Sequence, residues 1–303
     1  MSAIPFKTEM DFTYGEVTHM SPRIRRVIAN NPSAFTFTGT GTYIIGTGQV
    51  AVIDPGPLLN DHVEAILNAL EPGETITHIV ITHTHSDHSP AAAPLKEKTG
   101  APIYGHAPIM VQAEDSQVQL DEDQDENYRP DHIVKDGDII AGNDWTLEAV
   151  TTPGHMRNHI CYALQEEKTL FTGDHVMGWS TSIVAPPDGS MFDYMASLNK
   201  LLKRDDVLYM PTHGPVIDDP KNFVKAYIEH RKGRENQIIE QLESGQTNIR
   251  EMVTILYAAV DKRLHPAAAL SVFAHMQDLV QRGHVISSQM PPTLNASFTL
   301  KED

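Results

Sequence analysis

The sequence predicts an α/β protein with a small helical domain appended, residues 1–220 forming the larger part and 221–303 the appendage. Three observations carry this. Extended, helical and again extended patterns succeed one another between residues 30 and 82, the order of an α/β layer. Polar clusters rich in His and Asp each end a short apolar run. Beyond His213 the extended runs give way to helical patterns and a closing pair of short extended pieces.

Taken in order, Phe35–Phe37, Thr42–Gly46 and Val50–Asp54 read as strands, separated by turns at Gly39-Thr40-Gly41 and Gly46-Thr47-Gly48. Residues 58–70 set Val63, Ile66, Leu67 and Leu70 on one helical stripe. A strand over 77–82 then enters the run Thr82-His83-Thr84-His85-Ser86-Asp87-His88. A strand feeding a tight turn can aim three imidazoles and a carboxylate at one point, and these are the ligands that zinc and similar divalent ions take. Four such groups exceed the needs of one open catalytic metal, so this turn reads as half of a two-metal site. Asp54, at a strand end, has two readings. It orients a ligand imidazole by hydrogen bonding, or it caps the turn that follows.

Further groups come downstream. Leu147–Val150 leads to a turn with His155, Leu170-Phe171-Thr172-Gly173 to Asp174, and Tyr209-Met210-Pro211-Thr212 to His213. Side chains on loops held by strands suit a metal site. His159–Leu164 reads as a strand with Cys161 as a small apolar core residue. Met177, His175, Trp179 and, on a helix over 193–202, Tyr194 are read as pocket residues; His159 is read as supporting a ligand from behind. The tail gives a long polar helix over 222–242, an amphipathic helix through Ile249, Val253, Leu256 and Val260, and a third over 267–282. Val285-Ile286 and Ser297–Leu300 follow as extended pieces, completing a winged-helix pattern.

Composition bounds the function. The chain has 303 residues, 40% hydrophobic and 21% charged, within the globular range. Its single cysteine excludes an internal disulfide. The N-terminus lacks a long apolar stretch and no apolar run reaches membrane-spanning length, so a cytoplasmic location without membrane attachment is expected. A net charge of −17 opposes phosphate backbones. The acidic run Glu114, Asp115, Asp121, Glu122, Asp123, Asp125, Glu126 reads as a solvated face.

His-x-His-x-Asp-His, Pro-Gly-His, Thr-Gly-Asp and His-Gly, in this order, resemble the metallo-β-lactamase superfamily from about Asn30 to His230. The resemblance implies a four-layer αββα sandwich, α+β in the broad sense, with metals at one edge. It implies that His83, His85 and His155 hold a first metal, that Asp87, His88 and His213 hold a second, and that Asp174 bridges them. Cysteine-ligand β-lactamases carry Cys where Asp174 stands, and di-iron flavoproteins carry Glu where His85 stands. The chain instead resembles the glyoxalase II, lactonase and ribonuclease branches, which implies two Zn2+, with Mn2+ or Fe2+ as other divalent choices. Tyr227 through Arg231 and the winged-helix tail resemble the β-lactamase-like protein 2 branch, which includes an endoribonuclease acting on single-stranded RNA.

The chemistry expected is hydrolysis by a metal-bridging hydroxide, with Asp87 as the catalytic residue that orients it and returns a proton to the leaving group. The substrate expected is a small-molecule ester, lactone, thioester or amide. RNA is the second reading, resting on Lys200, Lys203, Arg204, Arg231, Lys232 and Arg234. β-Lactamase side activity and a non-enzymatic winged-helix regulator that senses a ligand are further readings. DNA is disfavoured, because the helix over 267–282 carries only Arg282 as Lys or Arg. The tail is read as a structural or homodimer-forming cap.

Overall fold

Successive residues of the central strands face opposite ways, and both faces are apolar. In the computed structural model, which describes residues 4–108 and 124–301, Tyr43 and Ile45 enter one core and Ile44 another. Val50 and Val52 likewise oppose Ala51 and Ile53. A strand buried on both sides must lie between two layers. The first sheet runs β1 (Val17–His19), β2 (Ile24–Ile28), β3 (Gly41–Ile45), β4 (Gln49–Ile53), β5 (Thr75–Val80), β6 (Ile103–Gly105) and β7 (His132–Ile133) in spatial order. Pairing is antiparallel up to β4 and parallel from β4 to β7. Helices α1 (Asn60–Asn68) and α2 (Ala92–Thr99) cover its outer face through Val63, Ile66 and Leu95.

The second sheet contains β8 (Ile139–Ala141), β9 (Thr146–Thr151), β10 (Ile160–Leu164), β11 (Thr169–Gly173) and β12 (Leu208–Pro211), ordered β12-β11-β10-β9-β8. Ile160, Tyr162 and Leu164 of β10 meet the first sheet, while Cys161 and Ala163 face α3 (Met191–Leu201) and α4 (Pro220–Glu243). The result is the αββα sandwich. Cys161 is a buried core residue, and burial pushes its thiol up to about 12. Ser190 starts α3 by accepting from the Asp193 N–H; Asp219 and Pro220 start α4.

Helix α4 belongs to two cores. Phe223, Val224, Tyr227 and Ile228 pack on the second sheet. Ile238 and Leu242 pack with α5 (Ile249–Leu256), α6 (His265–Gln281) and the antiparallel pair β13 (Val285–Ser287) and β14 (Phe298–Leu300). Three helices and a hairpin are the pattern read from the tail. Among the described residues no helix is long and apolar enough to cross a membrane.

Phe35–Phe37 corrects the sequence reading. These residues form a turn, not a strand, with Phe37 at φ +57 and Ser33 bridging to Phe37. The Ser33 hydroxyl accepts the N–H groups of Phe35 and Thr36, an alternative to ladder pairing that the aromatic spacing conceals. Most of the acidic run, Glu114 to Asp123, lies outside the described residues. Asp125 accepts from the Ser89 hydroxyl at 2.7 Å, and Glu126 is exposed.

Candidate metal centre

The ends of β4, β5, β9, β11 and β12 gather at one edge of the sandwich, and each is followed by a loop that delivers polar side chains inward. The turn after β5 carries His83, His85, Asp87 and His88; the loops after β9, β11 and β12 carry His155, Asp174 and His213. Two glycines make the close packing possible. Gly154 (φ +143) lets the His155 turn lie against α3, where a Cβ would meet the Tyr194 backbone at 2.3 Å. Gly173 (φ +51) ends β11 with His159 Nε2 at 2.5 Å from where a Cβ would sit.

The side chains fall into two groups. His83 Nε2 and His155 Nε2 lie 3.0 and 3.2 Å from His85 Nδ1. Asp87 Oδ2 lies 3.0 Å from His213 Nε2 and 3.4 Å from His88 Nε2. Asp174 Oδ2 stands between the groups, 3.4 Å from His213 Nε2, 3.5 Å from His88 Nε2 and 3.9 Å from His155 Nε2. The ligand atoms within each of the sets His83/His85/His155, Asp87/His88/His213 and His83/His88/Asp174 lie within 4.8 Å of one another.

The backs of the imidazoles are fixed. His88 Nδ1 donates to Asp54 Oδ2 at 2.9 Å. Asp54 (φ +48) is itself held by the Thr82 N–H and by the hydroxyls of Thr82 and Thr212. Of its two readings, the side-chain geometry matches the one that orients an imidazole. His155 Nδ1 donates to the Ile183 carbonyl at 2.6 Å, and His213 Nδ1 to the Gly39 carbonyl at 3.2 Å. With Nδ1 protonated, each of these rings turns the Nε2 lone pair inward. His159 works the same way for Asp174. Its Nδ1 pairs with Thr152 Oγ1 at 2.9 Å, and its Nε2 accepts the Asp174 N–H at 3.2 Å.

Electrostatics separates the groups. Burial, reinforced by neighbouring imidazoles, holds His83 well below the ordinary His range and His85 at about 3. Burial also opposes charge on His88 and His213. There Asp87 and Asp174 outweigh it and lift both, His213 to about 10. Burial pushes Asp87 and Asp174 up, but His88 and His213 prevail and hold both carboxyls low. Among the described residues, Asp87 Oδ1, Asp174 Oδ1, His88 Nε2 and His213 Nε2 are buried without an aligned hydrogen-bond partner. Inward lone pairs and unpartnered carboxylate oxygens at this density are a donor set for divalent cations, and the residues fit such an occupant.

Beside the cluster is a cavity lined by Phe35, His155, Asp174, Met177, Trp179 and Ile183, together with Ala34, Ser180 and Thr181. Phe37 stacks on Trp179 at 4.9 Å. Met177 and Trp179 line this cavity. Tyr194 and His175 do not line this cavity. Both are fully buried behind it, the Tyr194 hydroxyl donating to the His175 carbonyl at 2.7 Å. Nearness in sequence to Asp174 is no guide there, because the chain turns into the core. Sequence reasoning missed Thr82 and Thr212. Their signal was available: each directly precedes a cluster histidine, and both bind the same carboxylate.

Residues 36–213 match the family model of the metallo-beta-lactamase superfamily. The chain belongs to that superfamily. Residues 249–290 match the beta-lactamase associated winged helix domain. The chain is 32% identical over 277 residues to a beta-lactamase-like protein 2 homolog of Caenorhabditis elegans, covering 89% of this chain and 88% of the relative. It is 31% identical over 242 residues to the atrochrysone carboxyl ACP thioesterase dmxR1 of Cryptosporiopsis sp. (strain 8999), covering 78% and 68%. A beta-lactamase domain protein from Burkholderia ambifaria superposes with a TM-score of 0.77 at 16% identity, covering 96% of both chains. A metallo-beta-lactamase family protein from Thermus thermophilus gives 0.74 at 18%, covering 93% and 100%. These two likenesses bear on the fold. Membership makes the chain a metallo-beta-lactamase superfamily hydrolase, with the His/Asp cluster as its candidate metal centre.

Proposed function

We propose that the chain is a dinuclear, zinc-dependent hydrolase of small-molecule esters, thioesters, lactones or amides. His83, His85 and His155 would hold one ion, Asp87, His88 and His213 the other, and Asp174 would touch both. Bound zinc supplies a Lewis acid for the substrate oxygen and a water acidic enough to attack near neutral pH. Asp87, whose Oδ1 is buried without a hydrogen-bond partner, is the residue that takes up a proton and returns it to the leaving group. Cys161, with its thiol raised by burial, is not a nucleophile in this scheme.

The observation that carries the small-molecule reading is the cavity wall. Phe35, Met177, Trp179 and Ile183 are uncharged, and among the described lining residues there is no Lys or Arg. A site for a phosphate backbone needs cations. Four of the six candidate basic residues are engaged internally, and Lys203 and Lys232 are exposed. Lys200 pairs with Asp136, Arg204 with Glu148 and Asp206, Arg231 is buried, and Arg234 lies over the Tyr257 ring. The thioesterase among the relatives supports keeping the thioester among the substrates.

The test is a panel on zinc-loaded protein: an aryl ester, a thioester, a lactone, a cephalosporin and single-stranded RNA, each with Asp87→Ala as control. Turnover of an ester, thioester or lactone is expected, falling by ~10³-fold or more in the variant. Cleavage of RNA alone, or undiminished turnover by a metal-replete Asp87→Ala protein, would overturn the reading.

A further inference from the structure

Helix α4 touches the loop that carries the cavity wall, and two of its side chains reach backbone groups of that loop. The Tyr227 hydroxyl, fully buried, lies 2.7 Å from the Met177 carbonyl and 2.6 Å from the Ser180 carbonyl, and accepts the Met177 N–H at 3.1 Å. One turn further along α4, Arg231 Nη2 donates to the Ser182 carbonyl. The next carbonyl, that of Ile183, is the one that receives His155 Nδ1–H at 2.6 Å. Two side chains of α4 thus grip residues 177 to 182, and the chain passes directly from the grip to the group that aims a cluster imidazole.

Arg231 is otherwise hard to explain. It is only 4% exposed, and among the described residues it has no carboxylate within ion-pair distance. Its guanidinium rests over the Tyr194 ring at 5.0 Å, and its Nε has no hydrogen-bond partner. A cation taken out of water without a counter-ion costs stability, and an apolar residue of similar volume would suit a purely structural place. The Ser182 carbonyl is the contact that the charge strengthens. Tyr194 completes the cradle by holding the His175 carbonyl, to which the Ser182 hydroxyl also donates at 3.0 Å.

We propose that Tyr227 and Arg231 are positioning residues: they set the 177–183 loop and, through the Ile183 carbonyl, aim His155 at the metal. The same helix runs on into the C-terminal core through Ile238 and Leu242, and Arg234 lies over Tyr257. The inference rests on the hydrolase reading insofar as His155 is a metal ligand.

The experiment titrates cobalt(II) into the metal-free full-length chain and into Tyr227→Phe, Arg231→Lys and Arg231→Met. Visible absorption reports the ligand geometry, and competition with a chelator reports affinity. Tyr227→Phe keeps the ring and removes only the hydroxyl. Arg231→Lys keeps the charge if Arg231→Met fails to fold. Two controls run alongside: Lys225→Ala, exposed on the same helix, and Phe298→Leu, in the C-terminal core away from the loop. Loss of ~10-fold or more in cobalt affinity is expected for Tyr227→Phe and Arg231→Met, with a changed spectrum and a smaller loss for Arg231→Lys. Lys225→Ala should match wild type. Phe298→Leu should lower Tm and leave affinity and spectrum unchanged. Wild-type affinity and spectrum in Tyr227→Phe and in both Arg231 variants, or equal losses in Phe298→Leu, would overturn the inference alone. A wild-type chain that binds no cobalt would overturn the hydrolase reading, and this inference with it.

Discussion

His83, His85 and His155 form a half of the cluster whose imidazoles burial keeps neutral, whereas His88 and His213 are drawn toward their charged forms by Asp87 and Asp174. The same residue type moves in opposite directions. What differs is the neighbour. The first half is a set of imidazoles facing one another, so charge on any ring repels the next. The second interleaves imidazole with carboxylate. In the first half the Ile183 carbonyl holds His155, and the Thr82 hydroxyl lies 3.0 Å from His83 Nδ1. The second is held by the Asp54 carboxylate behind His88, by the Gly39 carbonyl behind His213 and by the ion pairs it makes within itself.

The comparison can be broken from the second half. His213→Ala removes a side chain of the Asp87/His88 group, and metal analysis of the purified variant should show one ion lost before the other. Simultaneous loss of both would mean that Asp174 couples the halves more tightly than their separate supports suggest. Asp54→Asn is a finer probe. It leaves the shape of the side chain and removes the charge that fixes His88, so affinity at the second half should fall by ~10–100-fold while the first half is spared. Isothermal titration of zinc into the metal-free variant checks this; an unchanged profile would make Asp54 a structural residue only.

The smallest effect lies outside the centre. Burial lowers His62 to about 4 and His275 to about 3, one ring on the first sheet's outer layer and the other in α6. Both folded values lie below the ordinary 6.5, so the unfolded chain binds protons more readily between the two. Their contribution to stability is full above about pH 6.5 and is lost as pH falls toward 4 and 3. A fall of at least ~2 kcal/mol is expected across that window. Denaturant melts of His275→Leu against wild type measure it: the variant's acid limb should be shallower, and an identical limb would rule out His275 as a contributor.

Part of this is legible in the sequence. The turn from His83 to His88 announces itself because six consecutive residues carry four ligand-type groups. Strands β4 and β10 announce themselves because they are apolar on both faces. Strand β2 escapes a sequence reading because Arg25 and Arg26 interrupt its apolar run, yet both are buried, and Arg25 makes a two-point ion pair with Glu74 at 2.7 and 2.9 Å. That long-range pair has no local signature. The carbonyls of Gly39 and Ile183, which orient His213 and His155, are invisible to sequence reasoning for a different reason: a backbone acceptor carries no residue identity. Tyr194, read as a pocket residue on its helix, instead packs inward with Leu198 and Tyr227.

The central claim is that two ions share this cluster. Its most direct test is calorimetric titration of zinc into the metal-free full-length chain at neutral pH, paired with elemental analysis of the loaded protein. The account predicts two equivalents per chain, with the ester, thioester or lactone activity appearing as they bind. One equivalent, or none, in a protein that remains folded would contradict it.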